Sequence, residues 1–247
     1  MIKPLHKTKG IVLRVTKYGE TSLITLIFTE QFGLQTYLIQ GVRTNKKGHY
    51  QAGYFQPGAL LDLVVYHQEH KPIQRIKEFK WWHIYDSLLM HVIKNSILVY
   101  MTELMTKTIR QPETNHDLFA FLEDSLIWLD KSTIESAANF PIYFALHLSS
   151  FFGFQISQEK NEKKDILDLM NGNFTDHLPP HPHVAQGFAV TALKELMKAM
   201  HPDELTEINI NRTTRQEILD ILEKYYSIHL SDFGKMKTLP VLKQLMD

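Results

Sequence analysis

The chain has 247 residues, of which 44% are hydrophobic and 22% are charged, so it can bury a sizeable core. It contains no cysteine, which excludes disulfide bonds, thiolate zinc sites and cysteine nucleophiles. Its 27 lysines and arginines balance 27 aspartates and glutamates, so the formal net charge is zero.

The charges are distributed unevenly along the chain. Residues 1–80 hold twelve lysines and arginines against five acidic residues, a net charge of +7. Residues 81–247 hold 15 against 22, a net charge of −7. This asymmetry indicates a basic functional face in the first segment. Because local potential steers a polyanion, we expect residues 1–80 to bind one.

The first 80 residues carry strand patterns. Runs rich in aliphatic, β-branched and aromatic residues lie at 10–15, 22–29, 34–40, 59–66 and 73–79, and turn-forming residues separate them. The connections leave no room for crossover helices, which favours a small closed antiparallel barrel. The five-stranded OB-fold is the expected architecture.

One loop of this segment, "QGVRTNKKG" (40–48), concentrates Arg43, Lys46 and Lys47. A solvated hairpin loop is one interpretation. A clamp for backbone phosphates is the other, because cations that neutralise phosphates release condensed counterions. The charge of residues 1–80 and the barrel pattern favour the clamp.

Further cations lie on or beside the predicted strands. They are Lys9, Arg14, Lys17, Arg75 and Lys77. By two-residue spacing Arg75 and Lys77 share one face of the last strand, and Glu78 falls on the other. Which side chains face a groove depends on strand register. Charges that blunt an exposed strand edge are the alternative for Arg75 and Lys77.

Aromatic side chains near these cations are candidates for stacking on nucleobases. They are Tyr37, Tyr50, Tyr54 and Phe55. Tyr37 alternates with Leu38, so an outward orientation is open to it. Packing in the barrel interior remains the favoured interpretation for each of the four.

Helical spacing replaces the strand pattern from Trp82 onward. Helices are predicted at about 83–110, 117–130, 133–152, 184–200, 214–226 and 238–246. Pro141 is expected to kink or restart the third of them. Residues 155–183 are polar and turn-rich, and are predicted to form an irregular loop or small lobe. The predicted fold class is α+β, with an OB-fold barrel over 1–80 and an all-α domain over 81–247.

The segment "DHLPPHPH" offers four potential metal ligands. They are Asp176, His177, His181 and His183. A metal-dependent hydrolase built on them is one hypothesis, but their spacing matches no standard zinc pattern, so a Pro-rich surface loop is favoured and no metal is expected. The sequence contains no P-loop, G-x-S-x-G or H-E-x-x-H motif. We therefore interpret the chain as non-enzymatic and expect no cofactor.

No stretch of the chain has the features of a targeting or membrane-spanning segment. The basic N-terminus lacks an apolar core followed by a small-residue cleavage site. No run approaches 18 uninterrupted apolar residues. We expect a cytoplasmic, nucleoid-associated protein with no membrane partner.

Three segments of the chain carry distinctive motifs. The sequence "KTKGIVLRVTKYGETSLITLIFTEQFGLQTYLIQGVRTNKK" (7–47) contains a "GIVL" strand, a Thr-Glu-x-x-Gly turn and a basic loop, and in this it is similar to the start of the RecO family of DNA repair proteins. The sequence "YYSIHLSDFGKMKTLPVL" (225–242) resembles its C-terminal segment, and "SSFFGFQ" (149–155) resembles the helix end before its middle loop. The resemblance extends over nearly the whole chain.

The resemblance implies a recombination mediator that is not an enzyme. Such proteins bind single- and double-stranded DNA and anneal complementary strands. They contact the C-terminal tail of single-stranded-DNA-binding protein, pair with RecR and help RecA load onto coated strands. Family members carry basic residues at the loop that here holds Arg43, Lys46 and Lys47. An OB-fold adaptor that binds a protein partner and no nucleic acid is the alternative.

Two further expectations come from the resemblance. An acidic tail with a hydrophobic end requires an apolar pocket with a nearby cation, and Lys107 and Arg110, at the end of a long apolar helix, are the candidates. An ordinary helix end is the alternative. Many family members hold a four-cysteine zinc module where this chain has residues 155–183. Because cysteine is absent here, we expect a metal-free loop.

Overall fold

The computed structural model describes residues 4–43, 51–157 and 165–245. The chain forms two compact units. One consists of Met1–Asp86 and Met105–Ile127, and the other of Ser87–Leu104 and Trp128–Asp247.

The first unit contains a closed barrel of five strands. These are β1 (Leu5–Tyr18), β2 (Ser22–Thr29), β3 (Gly33–Ile39), β4 (Leu60–Tyr66) and β5 (Gln74–His83). Their order around the barrel is β1-β2-β3-β5-β4. Neighbouring strands are antiparallel except β3 and β5, which are parallel. This is the OB-fold.

Strand β1 closes the barrel because it pairs with two neighbours. Residues Leu5–Ile11 pair with β4, and from Gly10 onward the strand pairs with β2. A Cβ atom at Gly10 would lie 2.7 Å from the Ile27 side chain and 2.9 Å from that of Leu63. The absence of a side chain at Gly10 therefore lets the barrel wall close around its apolar filling.

The barrel interior is filled by alternate residues of the strands and by a 3₁₀ helix, Ala52–Phe55, between β3 and β4. Its buried residues are Val12, Leu23, Ile27, Tyr37, Ile39, Val42, Phe55, Ala59, Leu61, Leu63 and Val65. The side chains between them along each strand consequently face outward.

All five predicted strands are confirmed. The predicted helix over 83–110 is wrong at its start, because β5 continues to His83 and the first helix begins at Val92. Trp81 and Trp82 extend the strand, and their spacing to Ile84 and Leu88 only imitates a helical period.

The remaining helices and strands have the following bounds. They are α1 (Val92–Thr108), α2 (His116–Lys131), α3 (Ile134–Ala137), α4 (Phe140–Ser150), β6 (Ile166–Asp168), β7 (Asn173–Thr175), β8 (Val184–Gln186), α5 (Phe188–Leu196), α6 (Arg212–His229) and α7 (Leu239–Leu245). Strands β6–β8 form a small antiparallel sheet in the order β7-β6-β8. The predicted helical C-terminal region is confirmed, and it also contains this sheet.

Local sequence signals explain most of these helix boundaries. Asn115 accepts a hydrogen bond from the Leu118 N–H at the start of α2. Pro141 lies in the first turn of α4, so it restarts the helix as one alternative predicted. The predicted helix over 184–200 is wrong at its start, because Val184–Gln186 pairs with β6 and Gly187 adopts a positive φ of 91° before α5.

Buried tyrosines join α6 to its surroundings in the second unit. The Tyr226 hydroxyl donates to the Ala145 carbonyl at 2.7 Å, and the Tyr225 hydroxyl donates to the Phe154 carbonyl at 2.6 Å. Burial raises the pKa of Tyr225 to about 12, so its hydroxyl stays protonated at neutral pH. Among the helices of the described residues, none has the length and apolar character needed to cross a membrane.

Candidate nucleic-acid interface

Two rows of outward-facing side chains cross the outer surface of β1, β2 and β3. The first row runs from Arg14 of β1 to Leu26 of β2 and Thr36 of β3. The second row runs from Thr16 of β1 through Ile24 of β2 and Leu38 of β3 to Arg75 of β5. A third row lies between these two and contains Thr25, Tyr37 and Gln74, which are buried and face the barrel interior. Because side chains alternate along a strand, the rows on either side of it face outward. We call the seven residues of these two outward-facing rows the barrel face.

The barrel face has an arginine at each edge and half-buried apolar residues in its centre. Arg14 and Arg75 are exposed, whereas Ile24, Leu26 and Leu38 are half-buried. Farther along β2 the same outer surface is covered, because the Phe28 ring packs on Phe119 with ring centroids 6.1 Å apart. An apolar surface between two cations offers positive charge to a phosphate backbone and apolar contact to its bases.

Arg43 holds the turn that joins β1 and β2. Its backbone N–H donates to the Thr21 carbonyl at 3.0 Å, and its guanidinium Nη1 donates to the Gly19 carbonyl at 3.2 Å. Gly19 has a positive φ of 56°, as a tight turn at this position requires. Lys17 is exposed just before this turn, opposite Leu23 of the barrel interior. Lys17 and Arg14 therefore lie on opposite sides of β1.

Lys46 and Lys47 lie outside the described residues, and so does Tyr50. The two ends of their loop are described. The Gln51 N–H donates to the Val42 carbonyl at 3.1 Å, so these two residues lie side by side.

Lys9 contacts protein groups on two sides. Its ammonium lies 3.1 Å from a Glu123 carboxylate oxygen and 3.7 Å from the centre of the Trp82 ring. The Lys9 and Glu123 side chains are only 26% and 16% exposed. Lys9 thus ties β1 to β5 and α2, and its assignment to a DNA interface stays a prediction.

The substitution Lys9→Met is expected to lower the free energy of unfolding by about 1–2 kcal/mol, since it removes a half-buried ion pair and a cation–π contact. Urea denaturation measures the change. Lys17→Met, at an exposed position of the same strand, is the matched control and should have little effect. Equal stability of the two variants would contradict this structural role of Lys9.

The predicted distribution of charges on β5 is wrong in one respect. A β-bulge lies where Val64 pairs with Glu78 but Val65 pairs with Ile76. Both Ile76 and Phe79 consequently pack on the barrel interior, and Glu78 faces outward with Arg75. The exposed Lys77 ammonium lies 3.2 Å from the Glu78 carboxylate.

Of the predicted stacking aromatics, Tyr37 and Phe55 are buried in the barrel interior, as the favoured interpretation held. Tyr54 is half-buried and stacks on Trp81, with ring centroids 3.9 Å apart and an interplanar angle of 15°. Trp81 retains 41% exposure. Trp81 is not among the stacking aromatics predicted from the sequence, because it lies where the strand pattern gives way to helical spacing from Trp82 onward.

Comparison with known proteins gives a consistent result for both halves of the chain. Residues 1–85 match the family model for the N-terminal part of recombination protein O, and residues 91–239 match the model for its C-terminal part. The chain belongs to the RecO family. Its identity to the DNA repair protein RecO of Bacteroides fragilis is 35% over 244 residues, which covers 98% of this chain and 100% of that protein.

Two further RecO proteins show the same full-length similarity. The DNA repair protein RecO of Christiangramia forsetii is 33% identical over 241 residues, covering 98% of this chain and 99% of the relative. That of Flavobacterium psychrophilum is 32% identical over 239 residues, covering 97% and 98%. The similarity to RecO stated from the sequence is thus confirmed, and it supports a role in DNA repair.

The lobe where many RecO proteins hold zinc is organised here by one carboxylate. Asp168 Oδ1 accepts hydrogen bonds from the N–H groups of Met170 and Asn171, and Oδ2 accepts one from the Asn171 side chain. Burial acts to raise the pKa of Asp168, but these hydrogen bonds and the nearby His181 outweigh it and hold that pKa below its ordinary value. The carboxylate therefore fixes the turn between β6 and β7.

The described histidines of this lobe have different partners. His181 Nε2 lies 3.4 Å from Asp168 Oδ1, whereas the His177 side chain is 91% exposed beside Asp176. Among the residues that the structure describes, no group of three or more histidine or acidic side chains is arranged to hold a metal ion. The described residues of the lobe therefore do not fit the zinc module that the family resemblance implies.

Lys107 and Arg110 lie where α1 ends. The Arg110 Nε donates to the Lys107 carbonyl at 2.9 Å, so this guanidinium satisfies one of the last carbonyls of the helix. Arg110 is exposed and Lys107 is half-buried. Their role in binding the tail of single-stranded-DNA-binding protein stays a prediction for this RecO-family chain.

Proposed function

We propose that this chain is a recombination mediator that binds single- and double-stranded DNA through its barrel and anneals complementary strands. With RecR, it helps to load RecA onto strands coated by single-stranded-DNA-binding protein. The barrel face carries the proposal, because the outer surface of strands 2 and 3 is where OB-folds bind oligonucleotides. The proposed mediator is a cytoplasmic, nucleoid-associated protein that needs no metal or cofactor and catalyses no reaction.

The basic residues have different roles in the proposed DNA contacts. Arg14 and Arg75 neutralise phosphates at the two edges of the barrel face, and Lys46 and Lys47 do so from the loop. Arg43 keeps the turn beside that loop in place, while Lys17 contacts phosphate from the other side of β1, just before the same turn. Lys9 and Lys77 contribute after exchange of their carboxylate partners for phosphate, which costs little for Lys77 because exposed ion pairs are weak.

An OB-fold adaptor that binds a protein partner is the second candidate. It is favoured by the number of barrel cations that already contact protein groups, since Lys9 pairs with Glu123, Lys77 with Glu78 and Lys80 with Asp62. Such pairing lowers the charge available to phosphates. The adaptor predicts a stable complex with RecR and no DNA binding at moderate salt.

A fluorescence-anisotropy titration with single-stranded DNA at several salt concentrations separates the two candidates. For a mediator, the logarithm of the association constant should fall linearly with the logarithm of salt concentration, by about 0.7 per phosphate contact. Duplex DNA and RNA define the substrate class, and mixing complementary strands tests annealing. Failure to bind DNA at low salt would reject the mediator and leave the adaptor.

A further inference from the structure

Trp81 combines an exposed side chain with a supported indole ring. Tyr54 covers one face of the ring, since the two rings are nearly parallel with centroids 3.9 Å apart. Trp81 retains 41% exposure, and among the described residues no second ring or cation stacks on it. An indole that is supported on one face can stack a flat aromatic ligand on the other.

The support behind Trp81 holds its ring in position. Tyr54 contacts Phe79 edge-to-face with centroids 5.2 Å apart, and Phe79 contacts Phe55 at 4.8 Å. Phe55 is 1% exposed and belongs to the barrel interior. The indole is thus connected through packed rings to the buried interior of the barrel, which restrains the ring and lowers the conformational entropy lost on ligand binding.

The neighbouring Trp82 has a similar exposure, 46%, but a different partner. The Lys9 ammonium lies 3.7 Å from the centre of its ring, and Lys9 is itself paired with Glu123. A cation thus covers one face of Trp82, whereas an aromatic ring covers one face of Trp81. The chain offers a matched pair of adjacent exposed tryptophans that differ in what supports the ring.

Cations alternate with Trp81 along β5 but leave the strand on its other side. Strand β5 holds Arg75, Lys77 and Lys80 against the single acid Glu78. Trp81 pairs with Leu61 of the barrel interior and Lys80 pairs with Asp62, so their side chains point to opposite sides of β5. A nucleic-acid strand that passes around this end of β5 can reach both, because phosphates and bases alternate along it.

We propose that Trp81, supported by Tyr54, is a stacking platform for an unpaired nucleobase of single-stranded DNA. The platform rests on the proposed function and adds a contact outside the barrel face. Stacking recognises the flat ring of any base, so it binds single strands without sequence preference and leaves paired bases of a duplex unbound.

The test uses two variants of the full chain that each keep one barrel tryptophan. Trp82→Phe/Trp128→Phe retains Trp81, and Trp81→Phe/Trp128→Phe retains Trp82. Titration with an oligothymidylate should quench the fluorescence of Trp81 strongly and that of Trp82 little. Quenching confined to Trp82, or equal in the two variants, would overturn the platform.

Affinity supplies the second measurement. Trp81→Leu should weaken oligothymidylate binding by roughly 5- to 140-fold, since base stacking contributes about 1–3 kcal/mol per base. The salt slope should stay that of the parent because no phosphate contact is lost. Trp82→Leu is the control and should bind as the parent does. If Trp81→Leu binds the oligothymidylate as tightly as the parent chain, the platform is wrong and the proposed function stands. If the parent chain itself does not bind DNA, the proposed function is wrong as well.

Discussion

The double substitution Arg14→Gln/Arg75→Gln is expected to weaken single-stranded DNA binding about 25-fold at roughly 0.1 M salt. The two arginines lie at opposite edges of the barrel face and are both exposed. A plot of the logarithm of the association constant against the logarithm of salt concentration should become shallower by about 1.4, because one phosphate contact is lost at each edge. The affinities of parent and variant should converge as the salt concentration approaches about 1 M, where counterion release contributes nothing.

The control for this prediction must remove the same charge elsewhere. Lys131→Gln/Lys224→Gln changes two exposed cations of the second unit and lowers the net charge equally. It should leave the salt slope unchanged. An equal loss of affinity in both double variants would mean that total charge governs binding. An unchanged slope in Arg14→Gln/Arg75→Gln would remove the barrel face from the DNA interface.

The barrel was predictable because its signals are local. Five apolar runs separated by turn residues identify the strands, and the lack of room for crossover helices leaves a closed antiparallel barrel as the economical arrangement. The end of β5 was not predictable in the same way. Trp81 and Trp82 are followed by Ile84 and Leu88 at helical spacing. Only the pairing of this segment with Leu60 and Leu61 of β4 shows that the strand continues here.

The interface was predictable in residue type and less so in geometry. Positive charge in residues 1–80 follows from counting, but the side of a strand on which a cation lies depends on bulges. The bulge beside Lys77 moves Glu78 onto the outward side with Arg75. Likewise, nothing in the sequence shows that the Arg43 guanidinium reaches the Gly19 carbonyl 24 positions earlier. Long-range hydrogen bonds of this kind need coordinates.

Asp130 illustrates the same limit in the second unit and gives the prediction with the largest effect on stability. Its side chain is 3% exposed, and Oδ1 accepts hydrogen bonds from the N–H groups of Ser87 at 2.9 Å and Leu88 at 2.8 Å. Its carbonyl accepts one from the Lys94 ammonium at 2.7 Å, and Lys94 is 5% exposed. One aspartate thus accepts hydrogen bonds from two backbone N–H groups of the segment before α1, and its own backbone carbonyl contacts a buried cation.

The substitution Asp130→Ala should lower the free energy of unfolding by about 2–5 kcal/mol, because it leaves the N–H groups of Ser87 and Leu88 without their acceptor. Urea denaturation followed by circular dichroism measures the loss. Asp130→Asn keeps an acceptor oxygen and should lose less. Asp130 and Lys94 both bond to Ser87, so the loss in Asp130→Ala/Lys94→Met should fall short of the sum of the two single losses. Additive losses would show that the carboxylate acts on the backbone alone, and a loss below about 1 kcal/mol in Asp130→Ala, the range of an ordinary surface change, would show that this network does not hold the unit together.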